Sequence, residues 1–239
     1  MILENENKFT PIIFPPPKKT GRGIVAVTED INTDLLISAY LQGIFPWYNE
    51  DEGEPVVWWS PDPRFVLLPE EFHIPSRLKR FLKHSPYKYT IDTAFEDVIK
   101  NCANVKRSDQ NGTWIGKSII ESYTELFYLG LAHSVEVWHD DKLVGGFYGV
   151  LFGQVFCGES MFTLENDSAK SAFVLFVEAF KKSGGKLIDS QVYTDNIARF
   201  GGKNISRVAF LRMEKEFLSN NLQFSISETF KSVVESSKQ

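Results

Sequence analysis

The sequence contains little that would mark a metalloprotein or a disulfide-stabilised protein. It has only two cysteines, Cys102 and Cys157, and its four histidines have no metal-ligand spacing with each other or with the cysteines. Two cysteines are too few for a disulfide framework, and both lie in apolar surroundings that are typical of buried thiols. We therefore expect no metal site, no disulfide and a reducing compartment.

Long apolar runs and the usual nucleotide-binding or nucleophile motifs are also missing. No stretch approaches the roughly 18 uninterrupted apolar residues of a membrane helix, and the polar, acidic start resembles neither a secretory signal nor a transit peptide. The glycines between 145 and 153 lack the pattern of a phosphate-binding loop, and no nucleophile elbow is present. We expect a cytoplasmic protein that has no membrane partner and uses no covalent nucleophile.

Positive charge is scarce overall but concentrated in one segment. The formal net charge of -5 at pH 7 argues mildly against a nucleic-acid partner. The segment 77–88, however, has no acidic residue and predicts a short amphipathic helix with its basic face outward. That helix is either a solvated surface element or a contact for a tRNA backbone, and the sequence leaves both interpretations open. The residues considered for such a contact are Arg77, Lys79, Arg80 and Lys83.

The N-terminal part of the sequence combines one helix with a stretch rich in proline and tryptophan. The helix is predicted to begin at Asn32 or Thr33 and to end at Gly43. The stretch 44–64 holds three of the five tryptophans and four prolines, which fix the backbone and interrupt helix and sheet. We expect these tryptophans to lie on a stiff, irregular surface.

The remainder of the sequence predicts helices followed by a sheet. Capping-box spacings at Thr93 and at Ser118 begin two helices. Three β-rich runs between 134 and 160 are separated by short loops, which favours an antiparallel meander. A long apolar helix capped by Asp167 or Ser168 comes next, and a strand at 186–192 follows it. This order of elements indicates an α+β fold.

Two acidic positions within apolar strands are candidates for chemistry. Asp189 precedes Gln191 by two residues, and strand alternation would place both on one face about 7 Å apart. Glu159 follows Gly158 and is flanked by aromatic and methionine residues. A carboxylate in such surroundings is costly unless it finds partners or a ligand. Each of the two therefore either ties down a neighbouring loop or serves a site.

Seven collinear segments carry a family resemblance: AYLQGIFPWY, WWSPDPR, GTWI, GLAHSVEVW, LVGGFYGV, FCGESMF and GGKLIDSQV. In this order and spacing they resemble the leucyl/phenylalanyl-tRNA-protein transferase family. The resemblance implies a small N-terminal domain at residues 1–70 and an acetyltransferase-like domain at 71–239, in which helices pack an antiparallel meander. It also implies transfer of Leu, Phe or Met from aminoacyl-tRNA to proteins that begin with Lys or Arg, which marks them for degradation, with no cofactor and no metal.

The same resemblance implies roles for individual residues. Asp189 and Gln191 would lie at the catalytic centre, with Glu159 beside the reacting groups. The aromatic residues implied near the terminal adenosine and the ester are Tyr40, Trp47, Trp114 and Tyr123. The residues implied to bind the aminoacyl side chain are Phe147, Phe156, Ser160, Met161 and Phe162. The chain departs from the family pattern at Phe127 and Asn196, which bears on the choice of acceptor.

The implied reaction is aminolysis of an ester, so a group that orients and deprotonates the attacking α-amine would accelerate it. Our hypothesis is that Asp189 does this directly or through Gln191. A CoA-dependent N-acetyltransferase is the alternative enzyme, but it needs a glycine-rich loop before its long helix, where this chain has the acidic TLENDSAK. A non-catalytic RNA or peptide binding module is the alternative outside catalysis, and the presence of the three catalytic candidates argues against it.

Overall fold

A computed structural model of the protein describes residues 9–17, 21, 23–105 and 115–237. Its N-terminal part is built around a small antiparallel sheet. The elements there are β1 (Ile24–Thr28), α1 (Thr33–Tyr40), β2 (Phe45–Pro46), a short 3-10 helix (Glu50–Glu52) and β3 (Val56–Trp59). The central strand is β3, which pairs with β1 on one side and β2 on the other.

A second, larger sheet forms the body of the protein. Its strands and the helices around it are β4 (Arg64–Leu67), α2 (Ser76–Lys83), β5 (Lys88–Ile91), α3 (Phe95–Asn104), α4 (Lys117–Tyr128), β6 (Ala132–His139), β7 (Lys142–Phe152), β8 (Val155–Thr163), α5 (Ser168–Lys182), β9 (Leu187–Asp189), α6 (Asp195–Ala198), β10 (Lys203–Ile205), α7 (Arg207–Leu218) and α8 (Ile226–Ser237). The strand order is β10-β4-β9-β8-β7-β6-β5. Neighbouring strands are antiparallel except for the parallel pair β8 and β9.

Helices cover both faces of the large sheet. On one face, α3 and α4 join the small sheet and α1 in a single apolar cluster. On the other face, α5 packs between the strands and α8 in a second cluster. Successive residues of a strand face opposite sides of the sheet and therefore pack into different clusters. In β7, Phe147 belongs to the second cluster and its neighbour Tyr148 to the first. The predicted α+β fold, with a small N-terminal domain and an antiparallel sheet packed by helices, is confirmed.

Several local predictions are confirmed at the level of single residues. Asn32 caps α1 by accepting the amide of Leu35 at 2.9 Å, and Gly43 beyond the helix has φ +72°. The three meander strands β6, β7 and β8 pair antiparallel in sequence order. Cys102 and Cys157 are buried, as their apolar surroundings in the sequence predict. Within the described residues no helix combines the length and apolar character that crossing a membrane requires.

The two predicted capping boxes are wrong, although both helices exist. The Thr93 hydroxyl donates to Glu136 at 2.7 Å, and α3 begins only after Ala94, which provides no side-chain cap. At α4, the amide and the hydroxyl of Ser118 both donate to Glu50, at 3.0 and 2.8 Å. Carboxylates that are remote in sequence therefore satisfy the first turns, which a local spacing rule cannot detect.

The prediction of an irregular surface for the tryptophan-rich stretch is wrong for Trp58. This residue lies in β3 with 0% exposure, where its indole N–H donates to Thr28 at 2.9 Å. Its ring contacts Phe14 at a centroid distance of 5.1 Å. The prolines flank the strand 56–59 instead of interrupting it, so alternation turns Trp58 inward. Trp47, by contrast, is 40% exposed.

The junction between the two parts of the protein lies close to β4. This strand, Arg64–Leu67, hydrogen-bonds to β9 and β10 of the large sheet. The domain boundary at residue 70 stays a prediction.

Candidate active site

A cavity of about 470 Å³ lies between the small sheet and the large one. Its walls come from residues 45–47 of the small sheet, from β7 and β8, and from the chain after β9. The main apolar lining residues are Phe147, Phe156, Met161, Phe173 and Ile188. The polar residues that reach it are Glu159, Ser160, Asp189, Ser190, Gln191, Thr194 and Asn196. The cavity lining therefore combines aromatic and aliphatic side chains with several polar ones.

A β-bulge in β8 directs Glu159 into this cavity. Tyr148 pairs with Ser160 and Gly149 with Gly158, so Glu159 is the extra residue that has no partner on β7. Gly149 is required beside the bulge, because a Cβ there would collide with the Cys157 carbonyl and the Phe156 ring. The glycine at this position of β7 thus permits the close approach of the two backbones.

Glu159 is the carboxyl at the centre of a short hydrogen-bonded chain. Gln191 Nε2 donates to Glu159 Oε1 at 3.0 Å, and the Tyr123 hydroxyl donates to Oε2 at 3.2 Å. Behind Tyr123, the hydroxyl of Tyr40 lies 2.5 Å from the Tyr123 hydroxyl. Burial raises the pKa of Glu159 to about 8, and hydrogen bonds from Tyr40 and Tyr123 counteract part of that rise.

Asp189 is fully buried at the end of β9, where Arg64 holds it. Arg64 Nε donates to Oδ1 at 2.8 Å and Nη2 donates to Oδ2 at 2.5 Å, which makes a bidentate pair. Burial alone would lower the pKa of the Arg64 guanidinium. The negative charge of Asp189 and its hydrogen bonds raise that pKa by more, so that it lies above its usual value. A second buried carboxyl, Glu214 of α7, lies near this pair, and burial raises its pKa well above the usual value.

The predicted strand at 186–192 is wrong beyond Asp189. The Gln191 amide donates back to Asp189 Oδ1 at 3.0 Å, and Gln191 has φ +56°. An Asp side chain that captures the amide two residues on produces a turn in place of a continued ladder. Asp189 and Gln191 therefore meet through this turn, and the predicted 7 Å neighbourhood along a strand does not exist.

The structure brings together most of the residues predicted for the site. Those that line the cavity are Trp47, Phe147, Phe156, Glu159, Ser160, Met161, Asp189 and Gln191. Phe162 does not, because it follows Met161 in β8 and therefore faces the opposite side of the sheet, in the α3 and α4 cluster. Tyr40 and Tyr123 lie in the interior behind Glu159. Trp114 falls outside the described residues.

Arg64 and Glu214 are site residues that none of the sequence-based predictions included. Each is buried, at 1% and 3% exposure, beside a carboxylate or a guanidinium far away in sequence. The signal for Arg64 was available, since this arginine precedes the apolar strand residues of β4 and a charge there requires a partner. Of the two departures from the family pattern, Asn196 lines the cavity and Phe127 stacks on Phe95 at 4.7 Å.

The basic helix predicted at 77–88 is α2, but it ends at Lys83, so the prediction is wrong for residues 84–88, the last of which begins β5. The cationic side chains of α2 are exposed as expected. Arg77 pairs with Asp167 at 2.8 Å. Among the described residues, Lys79, Arg80 and Lys83 show no ion pair.

Across all the residues that the structure describes, no group of three His, Cys, Asp or Glu side chains is placed so that it could hold a metal ion.

Sequence comparisons with known proteins all indicate the same protein family. The sequence profile of leucyl/phenylalanyl-tRNA protein transferase matches residues 66–215, and the profile of that protein's N-terminal domain matches residues 29–62. Leucyl/phenylalanyl-tRNA–protein transferases from Yersinia pestis (strain Pestoides F) and Yersinia pseudotuberculosis serotype O:1b are each 45% identical over 216 residues. These matches cover 89% of this chain and 87% of theirs.

Two solved structures show a weaker likeness. A functionally unknown conserved protein from Staphylococcus epidermidis has a TM-score of 0.39 at 11% identity, over 77% of this chain and 68% of its own. L-PGS from Bacillus licheniformis has a TM-score of 0.38 at 12% identity, over 71% and 56%. The profile matches and the sequence identities establish the family by themselves: this chain belongs to the leucyl/phenylalanyl-tRNA-protein transferases.

Proposed function

We propose that this enzyme transfers leucine, phenylalanine or methionine from aminoacyl-tRNA to the N-terminal Lys or Arg of acceptor proteins and so marks them for degradation. The observation that carries the proposal is the hydrogen-bonded pair of Glu159 and Gln191 in the lining of a largely aromatic cavity. Such a cavity accepts an apolar aminoacyl side chain, and the polar pair lies where an amine and an ester can meet.

The proposed reaction is a direct aminolysis. The acceptor α-amine attacks the ester carbonyl, the C–N bond forms, and the bond from that carbon to the ribose 3′-oxygen breaks. One proton leaves the amine and one must reach the departing oxygen. An α-amine has a pKa of about 8, and the pKa of Glu159 is also raised to about 8 by burial. Matched values favour proton exchange between the two groups in the transition state.

We assign Glu159 as the proton acceptor and Asp189 as an orienting group. Both oxygens of Asp189 accept from Arg64, and the residue has no exposed surface. These contacts favour the second of the two routes in our hypothesis, in which Asp189 acts through Gln191. The Gln191 side chain would then orient the Glu159 carboxyl and the amine, and positioning would supply much of the rate.

The aromatic residues suit the remaining parts of the substrate. Phe147, Phe156 and Met161 form the part of the cavity that would receive the aminoacyl side chain. Trp47 lines the cavity and is exposed, with its ring 6.1 Å from that of Trp59. An exposed indole at this place is suited to stack on the terminal adenine of the tRNA. The exposed α2 cations Arg77, Lys79, Arg80 and Lys83 are proposed contacts for the tRNA backbone.

The test is transfer of radiolabelled leucine, and separately phenylalanine, from charged tRNA to acceptors that differ only in the first residue. We expect label on acceptors beginning with Arg or Lys and none on those beginning with Asp or Met. Gln191→Ala should abolish most of the transfer. The matched control is Gln154→Ala, because Gln154 lies in the turn before β8 and its amide donates to the Asn221 carbonyl.

Two outcomes would contradict this proposal. Transfer to all four acceptors would remove the assigned acceptor specificity. Absence of transfer to any acceptor, with the aminoacyl ester shown to be intact, would remove the assigned activity itself.

A further inference from the structure

Arg64 is a buried cation whose partner is also buried. The Arg64 side chain is 1% exposed and that of Asp189 is 0% exposed. Removing two charges from water is offset only where geometry and additional hydrogen bonds are good. Here the pair is bidentate, at 2.8 and 2.5 Å, and the remaining nitrogen of Arg64 donates to the Gly43 carbonyl at 3.2 Å. The guanidinium is therefore held at three points.

The contacts of Arg64 reach the part of the small sheet that forms the cavity wall. Gly43 lies two residues before Phe45 of β2, and the Phe45 ring lies 4.9 Å from the guanidinium carbon. Phe210 of α7 packs against the same carbon at 4.2 Å. Aromatic rings at these distances attract a cation and restrict its rotation. One side chain thus connects the small sheet, α7 and the end of β9.

Asp189 connects this fixed guanidinium to the reacting groups. Its Oδ1 accepts from Arg64 and also from the Gln191 amide at 3.0 Å. Gln191 has φ +56°, a conformation that residues with a Cβ rarely adopt without outside support. From that turn its Nε2 donates to Glu159 at 3.0 Å. The position of the Gln191 side chain therefore depends on where Asp189 is held.

We propose that Arg64 is a positioning residue for the transfer reaction, which clamps Asp189 so that the Gln191 turn presents its amide to Glu159. The expected effect of Arg64 on the reaction rate rests on the proposed function. Its expected effect on structure concerns only the contacts among Arg64, Asp189, Gln191 and Glu159. Lysine cannot replace arginine in this role, because a single ammonium keeps the charge but not the bidentate geometry.

The kinetic test compares the steady-state kinetics of Arg64→Lys with those of the wild-type enzyme. We expect kcat to fall about 100-fold, the loss associated with a misplacement of about 1 Å, while KM for charged tRNA changes less than about threefold. Asp189→Asn should be similarly impaired. If Arg64 acts through Asp189, the double variant loses little more than either single variant. Additive losses would overturn the proposal.

A matched control separates positioning from the general cost of changing a buried arginine. Arg207 is 6% exposed, and its guanidinium donates to the Ser60 carbonyl at 2.7 Å. Arg207→Lys should lower the melting temperature as Arg64→Lys does and leave kcat within about twofold of wild type. An equal loss of kcat in both variants would show that Arg64 is merely structural.

An activity-independent readout keeps the two proposals distinguishable. In the wild-type protein, the side-chain amide signals of Gln191 in an NMR spectrum should titrate as Glu159 ionises, and Gln191→Ala assigns them. In Arg64→Lys this titration should shrink or vanish. Unchanged signals would overturn the positioning role even if the enzyme transferred nothing, whereas absent transfer with the expected signals would overturn only the proposed function.

A second variant covers the case in which Arg64→Lys does not fold. Arg64→Gln combined with Asp189→Asn leaves no buried charge unpaired and should fold more readily. We expect it to bind charged tRNA and to have lost at least about 100-fold in kcat. Wild-type kcat in this double variant would overturn the proposal.

Discussion

Glu136 and Glu159 are two carboxyls in one sheet with opposite environments. Glu136 of β6 has no exposed surface, and protein donors saturate it. Hydroxyls donate to it from Thr90 at 2.5 Å, Thr93 at 2.7 Å and Ser134 at 2.5 Å, and the amide of Ala94 at 3.4 Å. This carboxylate fixes the start of α3 onto the sheet, and its acceptor sites are occupied by the protein itself.

Glu159 of β8 has fewer donors and an open side. The hydroxyls of Tyr40 and Tyr123 and the side-chain amide of Gln191 interact with it, and Glu159 also lines the cavity. Burial raises the pKa of Glu159 to about 8, because the hydrogen bonds that it accepts offset only part of the cost of desolvating the charged form. Burial alone therefore does not mark a functional carboxyl in this protein. What distinguishes Glu159 from Glu136 is a hydrogen-bond acceptor position that remains available to a substrate.

The largest expected effect is on catalysis by Glu159→Gln. Because this substitution removes the proton acceptor but keeps the shape, we expect kcat to fall about 100- to 1,000-fold. Stability should change little, since glutamine leaves no buried carboxyl to desolvate. Steady-state transfer from leucyl-tRNA measures the loss. Glu136→Gln is the matched control, and a comparable loss of kcat in its folded fraction would show that the two carboxyls do not differ in their role in catalysis.

For stability, the larger effect is expected from Glu136→Gln and the smaller one from Glu159→Gln. Glu136→Gln replaces an acceptor by an amide whose N–H groups face the existing donors, so several hydrogen bonds fail at once. We expect the free energy of unfolding to fall by about 2–4 kcal/mol, the cost of leaving several buried polar groups unpaired. Urea denaturation followed by far-UV circular dichroism measures it. A loss no larger than that of Glu159→Gln would show that Glu136 is not the more satisfied of the two.

The sequence predicted much of the fold because those elements depend on local patterns. The meander, α1 with its Asn32 cap and the apolar α5 follow from alternation, helical periodicity and turn residues. The site is different, since Arg64 and Asp189 are 125 positions apart and meet only once β4 and β9 pair. No local rule detects such a contact.

The two carboxyls illustrate the same limit. In sequence, Glu136 and Glu159 are both acids within β-rich runs, and the sequence does not show that protein donors saturate the first and not the second. The aromatic and methionine neighbours of Glu159 and the family resemblance both selected it, and the bulge at that residue supplies the physical reason. The turn at Gln191 was likewise hidden, because the run 186–192 resembles an uninterrupted strand.

The pH dependence of transfer should also separate the two carboxyls. Below about pH 8, both the acceptor amine and Glu159 are predominantly protonated, so each must lose a proton before the reaction proceeds. The logarithm of kcat/KM should therefore rise with a slope approaching 2 in the wild type and with a slope of about 1 in Glu159→Gln. A slope of about 1 in both enzymes would remove Glu159 as proton acceptor, and Glu136→Gln should keep the wild-type profile.

The smallest expected effect comes from the hydrogen bond behind Glu159. Tyr123 donates to the carboxyl and lowers its pKa, so Tyr123→Phe should raise that pKa further. The rising limb of the pH profile should then move to higher pH by up to about one unit, equivalent to the loss of one hydrogen bond to a charged group. Tyr128→Phe is the matched control on α4, because Tyr128 is 73% exposed and donates to Glu96. A shift to lower pH, or an equal shift in both variants, would mean that the protein donors around Glu159 do not set its proton affinity, and the contrast with Glu136 would lose its basis.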